Sequence, residues 1–336
     1  MNSEISVLVT GGAGYIGSHT VSQLCAHPKI ARVIVLDDLS TGFREAVDSR
    51  AEFVQGSVLD SKILDYIFSR YQVSAVVHFA AKLVVPESVI EPVLYYENNV
   101  MGMIQLIKAM RRFGARYFIF SSTAAVYGNP PPHVTLIGEN ESPNPLNPYG
   151  WSKLMAEQIL KDAVSAYGFA AVVLRYFNVA GATESNGQRT RHATHLIKVA
   201  AQAAVGKRSF VEIFGSDYPT KDGTGVRDYI HVEDLARAHI LSLEYLLAGH
   251  GSSYEVFNCG YGYGHSVIEV LEAMKRVSGV NFEMRMSGRR PGDAACLVAD
   301  PEKIRKTLGW RPQFQDLEGI CRSAYLWEKK WSENGI

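Results

Sequence analysis

The stretch "NPYGWSK" at residues 147–153 sets a tyrosine, Tyr149, and a lysine, Lys153, four residues apart directly after a proline. On a helix, positions i and i+4 share one face, so the phenol and the ammonium point into the same space. A phenol with an ordinary pKa of about 10 is a poor base at neutral pH. A cation beside it favours the phenolate and lowers that value, which makes tyrosine a proton acceptor. The same spacing also arises when a surface tyrosine sits beside a solvated lysine. What surrounds the pair decides between the two readings.

A second set of residues lies at the start of the chain. The run "SVLVT" (6–10) leads into "TGGAGYIGSHT", whose glycines at 11, 12, 14 and 17 satisfy both G-x-G-x-x-G and G-x-x-G-x-x-G. Such glycines can form an ordinary tight turn. Here an apolar run precedes them, a helical pattern follows, and a second apolar run ends in Asp37 and Asp38, about twenty residues beyond Gly17. Without β-carbons the backbone can approach a pyrophosphate held at the positive end of the helix. Asp37 can accept from both hydroxyls of a ribose and would repel a 2′-phosphate, which points to NAD rather than NADP. Asp38 reads equally well as a solvated loop charge.

These groups need a scaffold. Short β-branched runs at 6–10, 32–38, 51–57, 75–81, 117–122 and 171–178 alternate with helical segments such as "VMGMIQLIKAMRRFG" (100–114). That is the pattern of successive βα units around a parallel sheet buried on both faces. The expected fold is α/β, a doubly wound parallel sheet of the Rossmann type. Beyond about residue 180 the texture changes to loops rich in Gly, Asn, Thr and Asp, with helices expected near 193–205, 232–248 and 266–278. We therefore expect a cofactor-holding part over 1–180 and a smaller α/β part over 181–336 that faces the substrate, with some of its segments returning to the first. "NPPPH" (129–133) reads as a short rigid turn.

Composition narrows the function. The 336 residues include 34 basic and 34 acidic side chains, a formal charge of zero, so no strong field draws the chain to nucleic acid or to an anionic membrane. An anionic ligand must be held by a few placed groups. No apolar run approaches the ~18 residues of a membrane span, and "MNSE" passes straight into "ISVLVTGG" without a leader pattern. The four cysteines, Cys25, Cys259, Cys296 and Cys321, show neither C-x-x-C pairs nor metal-ligand spacing. The expectation is a cytoplasmic protein with no structural metal.

Taken together, "GGAGYIGSHT", "HFAA", "FSSTAAVYG", "NPYGWSK", "LRYFNVAGA", "IFGSDYPTKDGTGVRDYIHVEDLA" and "RRPGD" resemble the extended short-chain dehydrogenase/reductases, specifically their nucleotide-sugar 4-epimerases acting on UDP-glucose and UDP-galactose. The resemblance spans nearly the whole chain and is most specific at 214–235. It implies that Tyr149 is the catalytic base, that Lys153 lowers its pKa and holds the nicotinamide ribose, and that Thr123 offers a hydroxyl beside the sugar O4. It implies NAD contacts from Gly11, Gly14, Tyr15, Ile16, Gly17, Asp37, Asp38, Ser57, Val58, Phe79, Ala80, Ala81, Asn98, Ser121, Tyr149, Lys153 and Tyr176. On the UDP-sugar side it implies Thr123, Tyr149, Phe177, Asn178, His195, Leu196, Phe214, Arg227, Arg290, Asp293 and Leu297, and a homodimer as the assembly.

Some positions depart from the family. Ser57 stands where an aspartate usually contacts adenine, Lys82 lies one place earlier than the lysine of many relatives, and His195 replaces a common asparagine, so that it reads either as a phosphate or sugar donor or as a packed side chain. Arg227 and Arg290 match phosphate oxygens in two-point contact, while Asp228 and Asp293 offer each a structural ion pair instead. Asp293 could also meet the uridine ribose. Leu297 falls where the family faces the C2 substituent of the sugar; an alignment slip of one would bring Cys296 there, a residue otherwise read as small and buried.

Overall fold

Successive side chains along the strands of the central sheet enter opposite cores. Val7, Val9, Val35, Val77, Ile119, Val172 and Leu174 face one buried cluster. Leu8, Ile34, Leu36, Val76, Phe118, Phe120, Ala171 and Val173 face another. A strand pleats with a period of two, so continuous apolar runs mean that neither face meets water. The structure is a computed structural model that describes residues 5–131, 134–190, 193–249, 253–290 and 293–333.

The first six strands are β1 (Ile5–Thr10), β2 (Ile30–Asp37), β3 (Glu52–Gln55), β4 (Ala75–His78), β5 (Tyr117–Thr123) and β6 (Ala170–Tyr176). There follow β7 (Asn178–Ala180), β8 (Phe210–Phe214), β9 (Val226–Arg227), β10 (Tyr229–His231), β11 (Tyr254–Cys259), β12 (His265–Ser266), β13 (Glu283–Ser287) and β14 (Cys296–Leu297). Seven of them form a sheet in the order β11-β6-β5-β4-β1-β2-β3, and every pairing in it is parallel. The order reverses between β1 and β4, where a doubly wound sheet opens its crevice. Helices Tyr15–Cys25 and Val232–Leu247 help close one face, and Ser61–Tyr71, Gly102–Phe113 and Pro148–Tyr167 the other.

The six apolar runs all become strands, and the three later helices form at Leu196–Ala204, Val232–Leu247 and Val267–Ser278. Two features go beyond those expectations in detail. The helix expected from residue 100 begins with a wide π turn over Tyr96–Met101, and the seventh strand, β11, is recruited from far along the chain to pair with β6 from Tyr254↔Ala171 to Cys259↔Tyr176. Smaller sheets pair β10 with β7, β13 with β8, and β9 with β12 and β14. Pro132 and His133 of the expected proline turn, and Pro291 and Gly292 of "RRPGD", lie outside the described residues.

Candidate active site

The glycine turn leaves β1 at the crevice. Gly11 has φ +71°, and a β-carbon there would lie 2.6 Å from the Ala80 nitrogen at the end of β4, so this position both needs the left-handed region and touches foreign backbone. At Gly17 a β-carbon would stand 2.2 Å from the Gly11 carbonyl, so the first turn of the helix closes on the loop only with glycine. Gly14 is different: its missing β-carbon faces only the Gly11 oxygen, at 3.2 Å, and space. Gly14 caps the Tyr15–Cys25 helix without a side-chain bond and no acid sits in the first turn, which leaves a positive end open to a phosphate.

Asp37 ends β2 beside this turn, almost wholly buried. One carboxylate oxygen accepts from the Ala13 nitrogen and the other from the Leu39 nitrogen, each at 2.9 Å. Each oxygen keeps a lone pair for another donor. Burial raises its pKa against the pull of those two bonds. Asp38 is exposed and bonds Ser40. The Ser57 hydroxyl accepts from the Leu59 nitrogen at 3.2 Å, and Val58 is buried beneath it against Gly102. Phe79 and Ala80 both donate through their nitrogens to the Thr10 carbonyl and so join β4 to the glycine turn. The cradle, the open helix end and the carboxylate at the end of β2 suit a dinucleotide.

Across the crevice, β5 ends in Ser121, Ser122 and Thr123. Asn147 caps the Pro148–Tyr167 helix by accepting from the Gly150 nitrogen at 2.9 Å, a contact whose loss typically costs about 1 kcal/mol. With proline at its first position, the helix starts in one place. Tyr149 is thereby set in the first turn, half-buried beside the Thr123 hydroxyl, with the ring of Tyr95 edge-on at 6.5 Å. Lys153, one turn on and buried, donates to the Ser121 carbonyl at 2.8 Å over the Phe120 ring. The Ser121 hydroxyl donates to the Tyr176 hydroxyl at 3.0 Å.

The electrostatics differ from the sequence expectation in one respect. Burial raises the Tyr149 pKa, and the Thr123 hydroxyl opposes this only in part. Lys153 does not yet lower it, because the ammonium is engaged by Ser121 and is itself pushed down to about 7 by burial, with Glu157 opposing. The phenol needs further positive charge nearby before it serves as a base at neutral pH.

A third cluster lies across from these. Arg290 donates from Nε to Asp293 at 3.0 Å and lies over the Phe214 ring at 4.6 Å. Arg227 approaches the other Asp293 oxygen at 4.0 Å and donates to the Val226 carbonyl at 2.9 Å. Asp228, expected as a partner for Arg227, turns inward instead: fully buried, it accepts from the nitrogens of Tyr261, Gly262 and Ala299. Alternation along an extended segment sends neighbours to opposite sides, which separates Arg227 from Asp228. Leu297 stands opposite Arg227 in register and packs on the small core of Ala124, Val126, Tyr127, Ile137, Phe177 and Ala299. Asn178 pairs with Tyr229 between β7 and β10. His195 is exposed, caps the Leu196–Ala204 helix and meets the Gln188 side chain at 3.3 Å.

Residues that the sequence reading passed over are Tyr95, Glu157, Arg175 and Asn99. Asn99 is buried in the π turn; it accepts from the Lys82 nitrogen, donates to the Lys82 carbonyl and donates to the Ser152 hydroxyl, binding the post-β4 loop to the Tyr149 helix. The signal for Asn98 and Asn99 is slight: two polar residues inside an apolar helical pattern. Among the described residues no group of three His, Cys, Asp or Glu side chains could hold a metal ion, and no helix is long and apolar enough to cross a membrane.

Comparison with known proteins matches this arrangement. Residues 7–260 match the model of the NAD dependent epimerase/dehydratase family. A UDP-glucose 4-epimerase of Lacticaseibacillus casei is 48% identical over 331 residues, covering 98% of both chains. The UDP-glucose 4-epimerase of Brucella ovis, solved in complex with NAD, superposes with a TM-score of 0.92 at 43% identity, covering 97% of this chain and 98% of that one. The UDP-Glc/GlcNAc 4-epimerase of Campylobacter jejuni does so at 0.84 and 46%, covering 97% and 99%. With the glycine cradle, the capped Tyr149 helix and the sheet order all of one kind, the chain belongs to the NAD dependent epimerase/dehydratase family.

Proposed function

We propose that this protein is a UDP-glucose 4-epimerase, which inverts C4 of UDP-hexoses through a 4-keto sugar. The observation that carries the reading is the meeting of Tyr149, Thr123 and Lys153 at the carboxyl ends of the sheet strands, next to the glycine cradle. NAD would be held by the glycine turn, Asp37 and Lys153, and would supply a hydride acceptor and donor for C4, so that no external oxidant is consumed. Tyr149 receives the proton of the 4-hydroxyl and later returns it. Thr123 steadies the oxygen that gains and loses that proton. Arg227 and Arg290 grip the diphosphate while the ketone turns its other face, and Phe177 and Asn178 line the space in which it turns.

Tyr15, Ile16, Ala81, Asn98, Ser121 and Tyr176 are assigned to the cofactor side and His195, Leu196, Phe214 and Asp293 to the nucleotide side, with the boundary between the two parts near residue 180. Related dehydratases and decarboxylases carry an acid directly after the Ser/Thr; here Ala124 and Ala125 follow Thr123 and can move no second proton. A protein that only senses NAD is the rival of another class. Turnover of UDP-galactose by the purified chain, with NAD identified in the denatured supernatant, tests the reading; NAD bound without turnover would favour the sensor.

Leu297 extends the reading to N-acetylated sugars. Leu297 is partly buried against the core that contains Phe177, a place that also fits a side chain that merely packs; the gate rests on its size, because an aliphatic side chain that changes rotamer leaves room where a rigid ring would overlap an acetamide. The Campylobacter jejuni relative, named for both sugars, supports the same reading. Leu297→Tyr is expected to abolish UDP-GlcNAc turnover and spare UDP-glucose; loss of both alike would remove the gate.

We also assign a homodimer and a cytoplasmic location. Val89, Ile90, Val93 and Met101 are exposed on the helices and π turn packed along the Tyr149 helix, which itself exposes Trp151 and Met155. Exposed apolar side chains on elements that pack side by side suit a second copy. Ile90→Glu is expected to halve the mass measured by light scattering, and an unchanged mass would move the interface elsewhere. All four cysteines are free, as suits a reducing compartment; the fraction of a cell in which the protein sediments checks the location.

A further inference from the structure

Beyond Lys153, on the side away from Tyr149, lies an ion pair that the chemistry above leaves without a task. Glu157 follows Lys153 by four residues on the same helix face, and Arg175 stands on β6; both are buried, at 3% and 6% exposure. Arg175 donates from Nη2 to Glu157 Oε2 at 2.6 Å and from Nε to both carboxylate oxygens at 3.1 and 3.2 Å. The Ser122 hydroxyl donates to Glu157 Oε1 at 2.5 Å. Behind the guanidinium, Nη1 donates to the Tyr127 hydroxyl, which donates to Asn258.

A buried ion pair is seldom worth more to stability than apolar side chains of the same volume. Its position suggests another use. Lys153 is fastened to the Ser121 carbonyl and Glu157 to the hydroxyl of the next residue, Ser122, so one strand end holds both charges of the helix. The carboxylate of the pair lies one helical turn beyond Lys153 on the same helix, and its guanidinium reaches Tyr127. The other groups around the ammonium are the Phe120 ring, the Ser121 carbonyl and the buried imidazole of His78 on β4, which is held neutral by burial and by Lys153 itself. Around Glu157 the remaining contacts are Ser122 and, on its backbone carbonyl, the Tyr254 hydroxyl from β11.

We propose that Glu157, braced by Arg175, is a positioning residue that keeps Lys153 charged and in place, so that this pair sets the alkaline limit of the working pH range. The proposal rests on the reading of Tyr149 and Lys153 given above. Burial pushes Lys153 down to about 7 and the Glu157 carboxylate pushes back. Removing that carboxylate therefore moves deprotonation of Lys153 to lower pH, and removing the guanidinium moves it to higher pH.

The test is the pH profile of kcat/KM on UDP-galactose for the NAD-loaded full chain, with folding followed by circular dichroism and by NAD retention. Glu157→Gln is expected to shift the alkaline limb down by about one unit or more. Arg175→Gln is expected to shift it up, and the double variant to fall between Glu157→Gln and the unmodified protein. Where a single variant does not fold, the double variant, which leaves no unpaired buried charge, carries the comparison. An alkaline limb that coincides with the unmodified one in every folded variant, with only a uniform loss of kcat, overturns the proposal. Tyr149→Phe, run alongside, separates the two failures: full activity there would remove the reading of Tyr149, whereas an unmoved limb beside an inactive Tyr149→Phe removes only the role of Glu157.

Discussion

Tyr149 shows how a side chain is set up by things that are not side-chain chemistry. Its place follows from a proline and an asparagine cap, its polar neighbour is Thr123, the last residue of β5, and the Tyr95 ring stands edge-on beside the half-buried phenol. Replacing it with Phe keeps the ring and removes the acceptor, so epimerisation is expected to fall by about 10² or more with NAD still bound. Near-normal kcat in that variant would refute its role as the base. The pair was legible at the level of residue type and spacing. What the spacing did not convey was the charge state: the ammonium is turned to a carbonyl and the phenol is held neutral by burial. Arg227 and Asp228 make the same point in reverse, since adjacency in sequence suggested a pair that alternation in space separates.

At the scale of elements, the glycine turn and its helix act as one unit. A β-carbon at Gly17 would lie 2.2 Å from the Gly11 oxygen, a backbone contact that no rotamer relieves. Gly17→Ala is therefore expected to push the helix off the turn, lower the melting temperature and yield protein purified without NAD. A variant that retains NAD stoichiometrically would show that the turn tolerates the methyl group. Strands of the first half were readable because each is a continuous β-branched run bounded by turn residues. The two-residue strands β9, β12 and β14, which hold Arg227 and Leu297, were not, because nothing local distinguishes them from loop. Their pairing is fixed by long-range register.

Across the whole molecule, Asp228 ties distant segments together, its carboxylate gathering backbone from residues 261, 262 and 299. Burial raises its pKa from 3.8 to about 6, the three bonds only partly opposing. A carboxyl whose folded value is raised stabilises the fold fully below its unfolded value, and that contribution is lost as pH rises through about 6. The stability difference between the unmodified protein and Asp228→Asn, measured by urea unfolding, should accordingly shrink from acidic to neutral pH. A difference that grows with pH would contradict this. The overall class, a parallel sheet under helices, could be read from the alternation of runs. A return of some of the later chain to the first part was also expected, but not which segment returns, because a strand such as β11 declares its partner only in space.

That last strand also bears on how the protein is made. β6 presents its outer edge to β11 along six paired residues, from Ala171 to Tyr176, yet β11 is synthesised only after the intervening loops and the Val232–Leu247 helix. Until residue 259 has left the ribosome, the growing chain carries a bare, apolar, β-branched edge, "AAVVLRY", of the kind that pairs with strangers. A chain ended at residue 249 is expected to scatter light as it aggregates, and to be rescued by supplying a peptide of residues 253–260; a soluble, monomeric truncation would show that the nascent edge is shielded by other means. The order of translation, as much as the final contacts, is thus a hazard this fold must pass through in the cell.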